Sequence, residues 1–329
     1  MRGVPALNGI AFAFAFAAST VAVLLCQPRS PKDASAGGAT SAPSSASTTL
    51  AELVDRSGVP IPRHDYRHIV SVSPAADEVL LEICEPDRVA AFAGTSARGT
   101  ARGFRYAGKP TIERLDDIER ILSLYPDLVL VNGIGDPRPV ARLREAGLVV
   151  FDLGEMRGLS TLIPQIHELA DVLGHPERGE WFATALVERM NAIAADVPAS
   201  KRPRGIHLSV YGDSLFGGAI GTSYHDVLVA AGLVDGALAY RGWPQYTAEQ
   251  VLTMDPDIIV TNTGMRGRLC AHSGLAMLRA CAASSGVVEV DSDLLGDPGP
   301  AMVDAAQRVR NAVHGAPAAP PYQAVGSRP

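Results

Sequence analysis

The chain has 329 residues, 47% of them hydrophobic and 19% charged, with a formal net charge of −6 at neutral pH. That length supports two domains of ordinary size, and the apolar fraction excludes a chain disordered throughout. No Lys/Arg-rich run or basic-aromatic stripe is present, which argues against nucleic acid as a partner.

Residues 1–26 read as an export signal, with Arg2 ahead of the uncharged apolar run "IAFAFAFAASTVAVLL" at 10–25. The run is short for a membrane span, so signal peptide and uncleaved anchor both stand as readings. Cys26 directly after it resembles a lipidation site of bacterial lipoproteins, with Leu25 where a small residue is expected. Residues 27–62 begin with a Ser-, Ala-, Gly- and Pro-rich stretch that has too little apolar surface to offset its ordering entropy, and the segment is assigned to a flexible tether. This order places the folded part outside the cytoplasm.

From 63 to 158 short β-rich runs alternate with amphipathic ones. Strands are expected at 68–73, 89–94, 128–133 and 148–154, and helices at 75–84, 117–125 and 139–147. Such alternation predicts a parallel sheet covered by helices. Residues 159–203 differ, with one helix running to Gly174 and a second restarted at Pro176, where proline is well tolerated. In the second, Phe182, Leu186, Met190, Ile193 and Val197 recur at helical spacing, the pattern of a long, stiff connector. Residues 204–314 repeat the first plan, with strands at 205–212, 257–262 and 287–291 and helices at 223–232, 248–254, 274–282 and 299–314. Residues 315–329 read as a disordered tail. The predicted fold is α/β: two similar Rossmann-like lobes joined by a long rigid helix, with a ligand cleft between them.

The duplication is legible residue by residue. "DIERILSLYPDLVLVN" at 117–132 aligns with "TAEQVLTMDPDIIVTN" at 247–262, matching Glu119 with Glu249 and Pro126-Asp127 with Pro256-Asp257. In each copy the proline forces the residue before it out of the helical region and ends the helix.

Chemical motifs are sparse. The glycines of "GGAIGTS" (217–223) lead into a helix but lack the lysine of a nucleotide-binding loop, and read as a turn passing close to a ligand. The eight histidines show no metal-ligand spacing, so no intrinsic metal or cofactor is expected; His225, at a helix start, is kept as a ligand contact. No nucleophile elbow is present, and no enzyme activity is expected. The loop aromatics Tyr106, Tyr211, Phe216, Tyr224, Trp243 and Tyr246 are more telling: some are expected to plug the ends of the lobes, while a ring of them suits a large, flat or greasy ligand, and Tyr106, Tyr211, Phe216, Tyr224 and Trp243 are assigned to the cleft. Arg98, Arg102 and Arg105 beside Tyr106 suit an anionic group on it. Cys270 and Cys281, close in sequence in an exported protein, read as a local disulfide, and Cys84 as a buried core residue.

The segments "HIVSVSPAADEVLLEI", "IERILSLYPDLVLV", "WPQYTAEQVLTMDPDIIV" and "VVEVDSDLLGDPGPAMVDA" resemble, in order, the helical-backbone class of bacterial substrate-binding proteins. These proteins serve ABC importers of cobalamin, ferric siderophores and heme. The resemblance implies capture of a metal chelate, a corrinoid or ferric siderophore, and delivery to a permease dimer in the cytoplasmic membrane. It implies that Glu119 and Glu249, one per lobe, dock on basic pockets of that dimer. It also implies that Trp243-Pro244-Gln245 lines a corrin site, whereas the loop at 95–108 departs from the Tyr-Pro pattern common there and offers Tyr106 alone. Two rival classes remain at this point: an exported zinc or manganese carrier, and an exported enzyme on a two-lobe scaffold.

Overall fold

The computed structural model describes residues 53–94, 108–133 and 135–315. The N-terminal lobe is a five-stranded all-parallel sheet in the order β5-β4-β3-β6-β7. Its strands are β3 (Ile69–Ser71), β4 (Val89–Ala93), β5 (Thr111–Ile112), β6 (Leu128–Val131) and β7 (Val150–Asp152), with helices α1 (Pro74–Ile83), α2 (Ile118–Leu122) and α3 (Arg138–Glu145) between them.

An antiparallel ribbon, β1 (Leu53–Val54) with β2 (Pro60–Ile61), precedes this sheet. Residues 53–62 are therefore part of the lobe and not of a tether. The reason is a single buried acid, Asp55. Its carboxylate accepts from the Ser57 and Val59 amides, both at 2.9 Å, from the Asp152 amide at 3.1 Å and from the Arg144 guanidinium at 2.6 Å. A carboxylate bonded on all sides compensates its own desolvation and fastens the ribbon to β7 and α3.

The C-terminal lobe is mixed. β8 (Arg204–Tyr211), β12 (Ile258–Asn262) and β13 (Val287–Val290) run parallel, as β3, β6 and β7 do in the first lobe. On the other side of β8, however, β9 (Ser214–Gly218) and β11 (Gln245–Tyr246) are antiparallel, while β10 (Val234–Asp235) pairs with the start of β8. β9 was expected to be loop. Its glycines seat aromatic rings: a Cβ at Gly217 would collide with the Tyr246 ring and one at Gly218 with the Tyr224 ring. The helices of this lobe are α6 (Ser223–Ala230), α7 (Ala248–Met254), α8 (Arg266–Ala271), α9 (Arg279–Ala282), α10 (Ser292–Leu295) and α11 (Met302–His314). The helix expected over 274–282 is confined to its last turn, α9, the part before it being a compact turn.

Between the lobes lie α4 (Leu159–Leu173) and α5 (Pro176–Ala192), which form an antiparallel pair closed by Gly174 in the left-handed region (φ 79°). At 1.5 Å per residue, α5 is about 25 Å long. The periodic residues Phe182, Leu186 and Met190 of α5 are buried, as are Ile193 and Val197 in the turn that follows it, where the expected longer helix has already ended. Gly179 lets α5 approach α4 closely, since a Cβ there would strike Ala170. At the N-lobe end the turn is held by buried Arg88, which donates to the carbonyls of Tyr66 (2.8 Å) and Leu173 (3.3 Å). At the C-lobe end Arg310 grips Asp196 with bonds of 2.7 and 2.9 Å.

The helices and both sheets share one core. Ile69, Leu128 and Leu130 of the first sheet and Ile258, Val260 and Val290 of the second belong to a cluster that also contains Leu162, Phe182 and Leu186. Other strand residues face outward into a separate core for each lobe: Val70, Val129 and Val131 in one, Ile206, Leu208 and Ile259 in the other. Period-two alternation thus divides β3, β6 and β12 between a shared and a private core.

The repeated Pro-Asp pair has a structural role that its sequence only hinted at. Tyr125 (φ 48°) and Asp255 (φ 41°), the residues before the two prolines, are the non-glycine residues with positive φ among those described. Asp127 then accepts from the Arg67 and His68 amides at 2.6 and 2.9 Å, just ahead of β3; Asp257 accepts from the Arg204 amide at 3.0 Å, at the start of β8. Each aspartate clamps the first strand of its lobe to the strand after the turn. Asp127→Ala leaves two amides without this acceptor, and the expected cost is about 1–3 kcal/mol. Thermal unfolding of the variant should show a clear fall in midpoint, and an unchanged midpoint would refute the clamp.

Candidate functional site

Parallel α/β sheets bind ligands beyond the carboxyl ends of their strands, and a cavity lies there, between the lobes. It has a volume of about 600 Å³. Pro74 and Ala75 follow β3, Asn132 follows β6, and Glu155, Met156 and Arg157 follow β7; from the other lobe come Ser223 and Tyr224, Trp243, and Ser292, Asp293, Gly296, Asp297 and Pro298 after β13. Two capped helix starts frame it. Ser73 caps α1 by accepting from the Ala76 amide, and Thr222 caps α6 by accepting from the His225 amide.

The lobes touch at the floor of this cleft. A Cβ on Gly299 would lie 2.9 Å from that of Ala75, and one on Gly158 would meet Ser223 and the Asp226 carboxylate. Asp226 accepts from the Leu159 amide at 2.7 Å and so holds the start of α4 against α6. Burial raises the pKa of Asp226, partly countered by that bond.

Trp243 forms one wall and is about half exposed. The Arg157 guanidinium lies over its ring, 5.6 Å from the centroid, and is also ion-paired with Glu155. Tyr224 also lines the cleft. Its ring stacks on His207 at 3.6 Å with an interplanar angle of 13°. His207 is buried, with no hydrogen-bond partner for either ring nitrogen, and burial pushes its pKa down to about 3, so it is a neutral backing plate. Among the described lining residues four carboxylates (Glu78, Glu155, Asp293 and Asp297) stand against one guanidinium, Arg157.

Of the residues singled out from the sequence, Tyr224 and Trp243 line the cleft. Tyr211 does not: it ends β8 beside a tight hairpin turn and is 83% exposed, away from the cavity lining. Phe216 also stands outside the lining, because β9 is a strand whose residue 216 faces Gln245 across the ladder. Tyr246 is buried in the private core of the C-terminal lobe. Arg98, Arg102, Arg105, Tyr106 and Cys26 lie outside the described residues. Cys270 and Cys281 form a disulfide with Cα atoms 5.4 Å apart, and Cys84 is a buried thiol pushed up to about 11 by burial.

His225 turns away from the cleft. Its Nδ1 lies 2.7 Å from Asp235 Oδ2, and it borders a smaller cavity shared with Asn191, Ala194 and Arg202. The sequence placed it at a helix start but could not say which face of α6 it would take. Conversely, Glu78, Asn132, Glu155, Met156 and Arg157 were missed. Their only signal was position, each being on the first two turns of α1 or just past the end of a parallel strand.

Among the described residues no group of three or more His, Cys, Asp and Glu is arranged to hold a metal ion, and no helix is long and apolar enough to cross a membrane. The family described as periplasmic binding protein matches residues 69–309. The chain belongs to that family. A curated relative, the cobalamin-binding protein of Halobacterium salinarum, is 26% identical over 264 residues, covering 75% of this chain and 69% of the relative. Among solved structures, the periplasmic heme-binding protein of Vibrio cholerae superposes with a TM-score of 0.63 at 20% identity, covering 75% of this chain and 98% of that one. The periplasmic vitamin B12 binding protein of the same organism gives 0.57 at 22%, covering 76% and 97%. At such identities the superpositions establish the two-lobe fold.

The Asp235 bond raises the pKa of His225 above its ordinary value, against the opposing effect of burial. Stability from this pair is then fully present below the unfolded value of about 6.5 and is lost as pH rises through the higher folded value. His225→Gln should remove that alkaline-side slope in denaturation midpoints measured from pH 6 to 9, and should leave ligand affinity unchanged. A large loss of affinity would put His225 back in the binding site.

Proposed function

We propose that the protein captures a corrinoid in the inter-lobe cleft outside the cytoplasmic membrane and hands it to an ABC permease without chemical change. The observation that carries the ligand class is the cleft wall: a half-exposed Trp243 and a backed Tyr224 over a cavity of about 600 Å³. Flat aromatic walls stack on a large conjugated ring. The carboxylates and Asn132 around them offer acceptors to neutral carboxamides, such as those rimming a corrin. The cobalamin-binding relative supports the same choice.

Titrating the purified protein with cobalamin, cobinamide, heme and ferric siderophores, read by tryptophan fluorescence, tests the ligand. Saturable quenching is expected for a corrinoid, and Trp243→Ala should weaken it about tenfold, the scale of one stacking contact. Saturation by heme alone would overturn the reading.

The hand-over falls to Glu119 and Glu249. Both are exposed, and each lies in the first turn of its helix, α2 or α7, directly before the Pro-Asp turn. A hydrogen bond from its own backbone amide, reinforced by Thr247, lowers the pKa of Glu249 and keeps it charged. Two like lobes offering one carboxylate each suit two like permease subunits with arginine partners. Glu119→Ala together with Glu249→Ala should abolish corrinoid uptake by cells while the fluorescence titration stays as for the unaltered protein. Undiminished uptake would sink the docking assignment.

A further inference from the structure

The two lobes are not equal beside their docking helices. Val131 of β6 pairs with Asp152, 21 residues further on, whereas Thr261, its counterpart in β12, pairs with Glu289, 28 residues further on. The C-terminal lobe therefore carries seven extra residues (28 against 21) in the same connection. That connection contains the segment closed by the Cys270–Cys281 disulfide.

The closed segment runs alongside α7, the helix that carries Glu249. At one end Gly274 packs against Ala248, so closely that a Cβ on the glycine would collide with it. At the other end Arg279 is paired with Asp255, the residue that terminates α7, at 2.7 Å, and with Asp257 at 3.2 Å. Between these anchors Leu275 and Leu278 are buried in the lobe's private core, as is Val251 of α7 itself. Met277, held between two buried leucines, is 89% exposed, and Leu252, three residues along α7 from Glu249, is 41% exposed. Fixed ends, a covalent closure and internal anchors leave Met277 little freedom to fold back and bury itself.

We infer that the disulfide-closed segment 270–281 is a docking key, which presents Met277 and Leu252 beside Glu249 to an apolar hollow on the permease subunit that receives the C-terminal lobe. This rests on the reading of Glu119 and Glu249 as docking groups and extends it. Against two like subunits the two orientations are equivalent, so the apolar contact adds affinity at whichever subunit receives the C-terminal lobe, and a flexible thioether tolerates an irregular pocket. The disulfide's part is to pre-form the loop, so that its ordering is not charged against binding.

The test measures binding of the purified full chain to membrane vesicles from its own cells, with Met277→Asp, with Cys270→Ser/Cys281→Ser, and with the Glu119→Ala/Glu249→Ala pair as reference. Met277→Asp should bind vesicles about tenfold more weakly, with thermal stability and corrinoid affinity unchanged because the side chain is almost wholly in solvent. The cysteine variant should lose vesicle binding in the same direction, with its folded fraction checked by circular dichroism. As a second reading of the same surface, a photocrosslinker placed by Met277→p-benzoylphenylalanine should join the protein to an integral membrane subunit. If Met277→Asp binds vesicles as the unaltered chain does while the glutamate pair does not, the key is refuted and the docking glutamates stand. If the glutamate pair also binds unchanged, both fall.

Discussion

Everything in this molecule hangs on one hydrophobic cluster that belongs to neither lobe alone. Residues from β3, β6, β12 and β13, from α4 and α5, and from α6 and α11 contribute to it. A hinge that opened the lobes widely would have to expose part of this core, at roughly 25 cal/mol for each Å² of apolar surface. The helical pair is therefore a brace. Its polar fastenings, Arg88 at one end and the Arg310–Asp196 pair at the other, fix which ends of the two sheets face each other. The cleft follows as the space left between the carboxyl ends of two sheets held at a set separation.

This arrangement explains where the site can be adjusted and where it cannot. The cleft walls come from short segments just past the strands, free of the packing demands on the strands themselves. Tyr224 is the exception, since its ring is seated on β9 by Gly218 and backed by buried His207. It is a rigid wall, whereas Trp243, half exposed and covered by Arg157, is one that a ligand can rearrange. A brace with one stiff and one adaptable wall suits a carrier that must hold its cargo firmly and also release it.

The duplicated helix-turn-strand unit serves two purposes at once. Its Pro-Asp turn is a clamp on the first strand of each lobe, and the residues before the two prolines, Tyr125 and Asp255, are held at positive φ. The rigid turn fixes the helix before it, and that helix carries the exposed glutamate. Mechanical requirement and proposed recognition coincide on the same few residues, which is why the two copies stayed legible in one chain.

The sequence by itself determined the two-lobe α/β plan, the parallel strands, the helical break at Gly174–Pro176, the disulfide and the duplicated turn. Each of these is written in local terms: hydrophobic period, the steric demands of proline and glycine, or cysteine spacing. Tertiary structure alone decided which residues meet in the cleft. Tyr211 and Phe216 read as cleft aromatics, yet one ends β8 beside a hairpin and the other lies in an antiparallel strand, because residues 214–218 pair with β8 and that registry is a long-range property. Glu155 and Arg157 carried no motif at all. Arg157 reaches Trp243, with Glu155 paired to it, because the chain crosses from β7 to α6 before turning into α4, and no local pattern records where such a crossing ends. Asp55 makes the same point in reverse. A polar, unremarkable stretch is ordered there by four bonds from residues as far as 97 positions away, which periodicity cannot see.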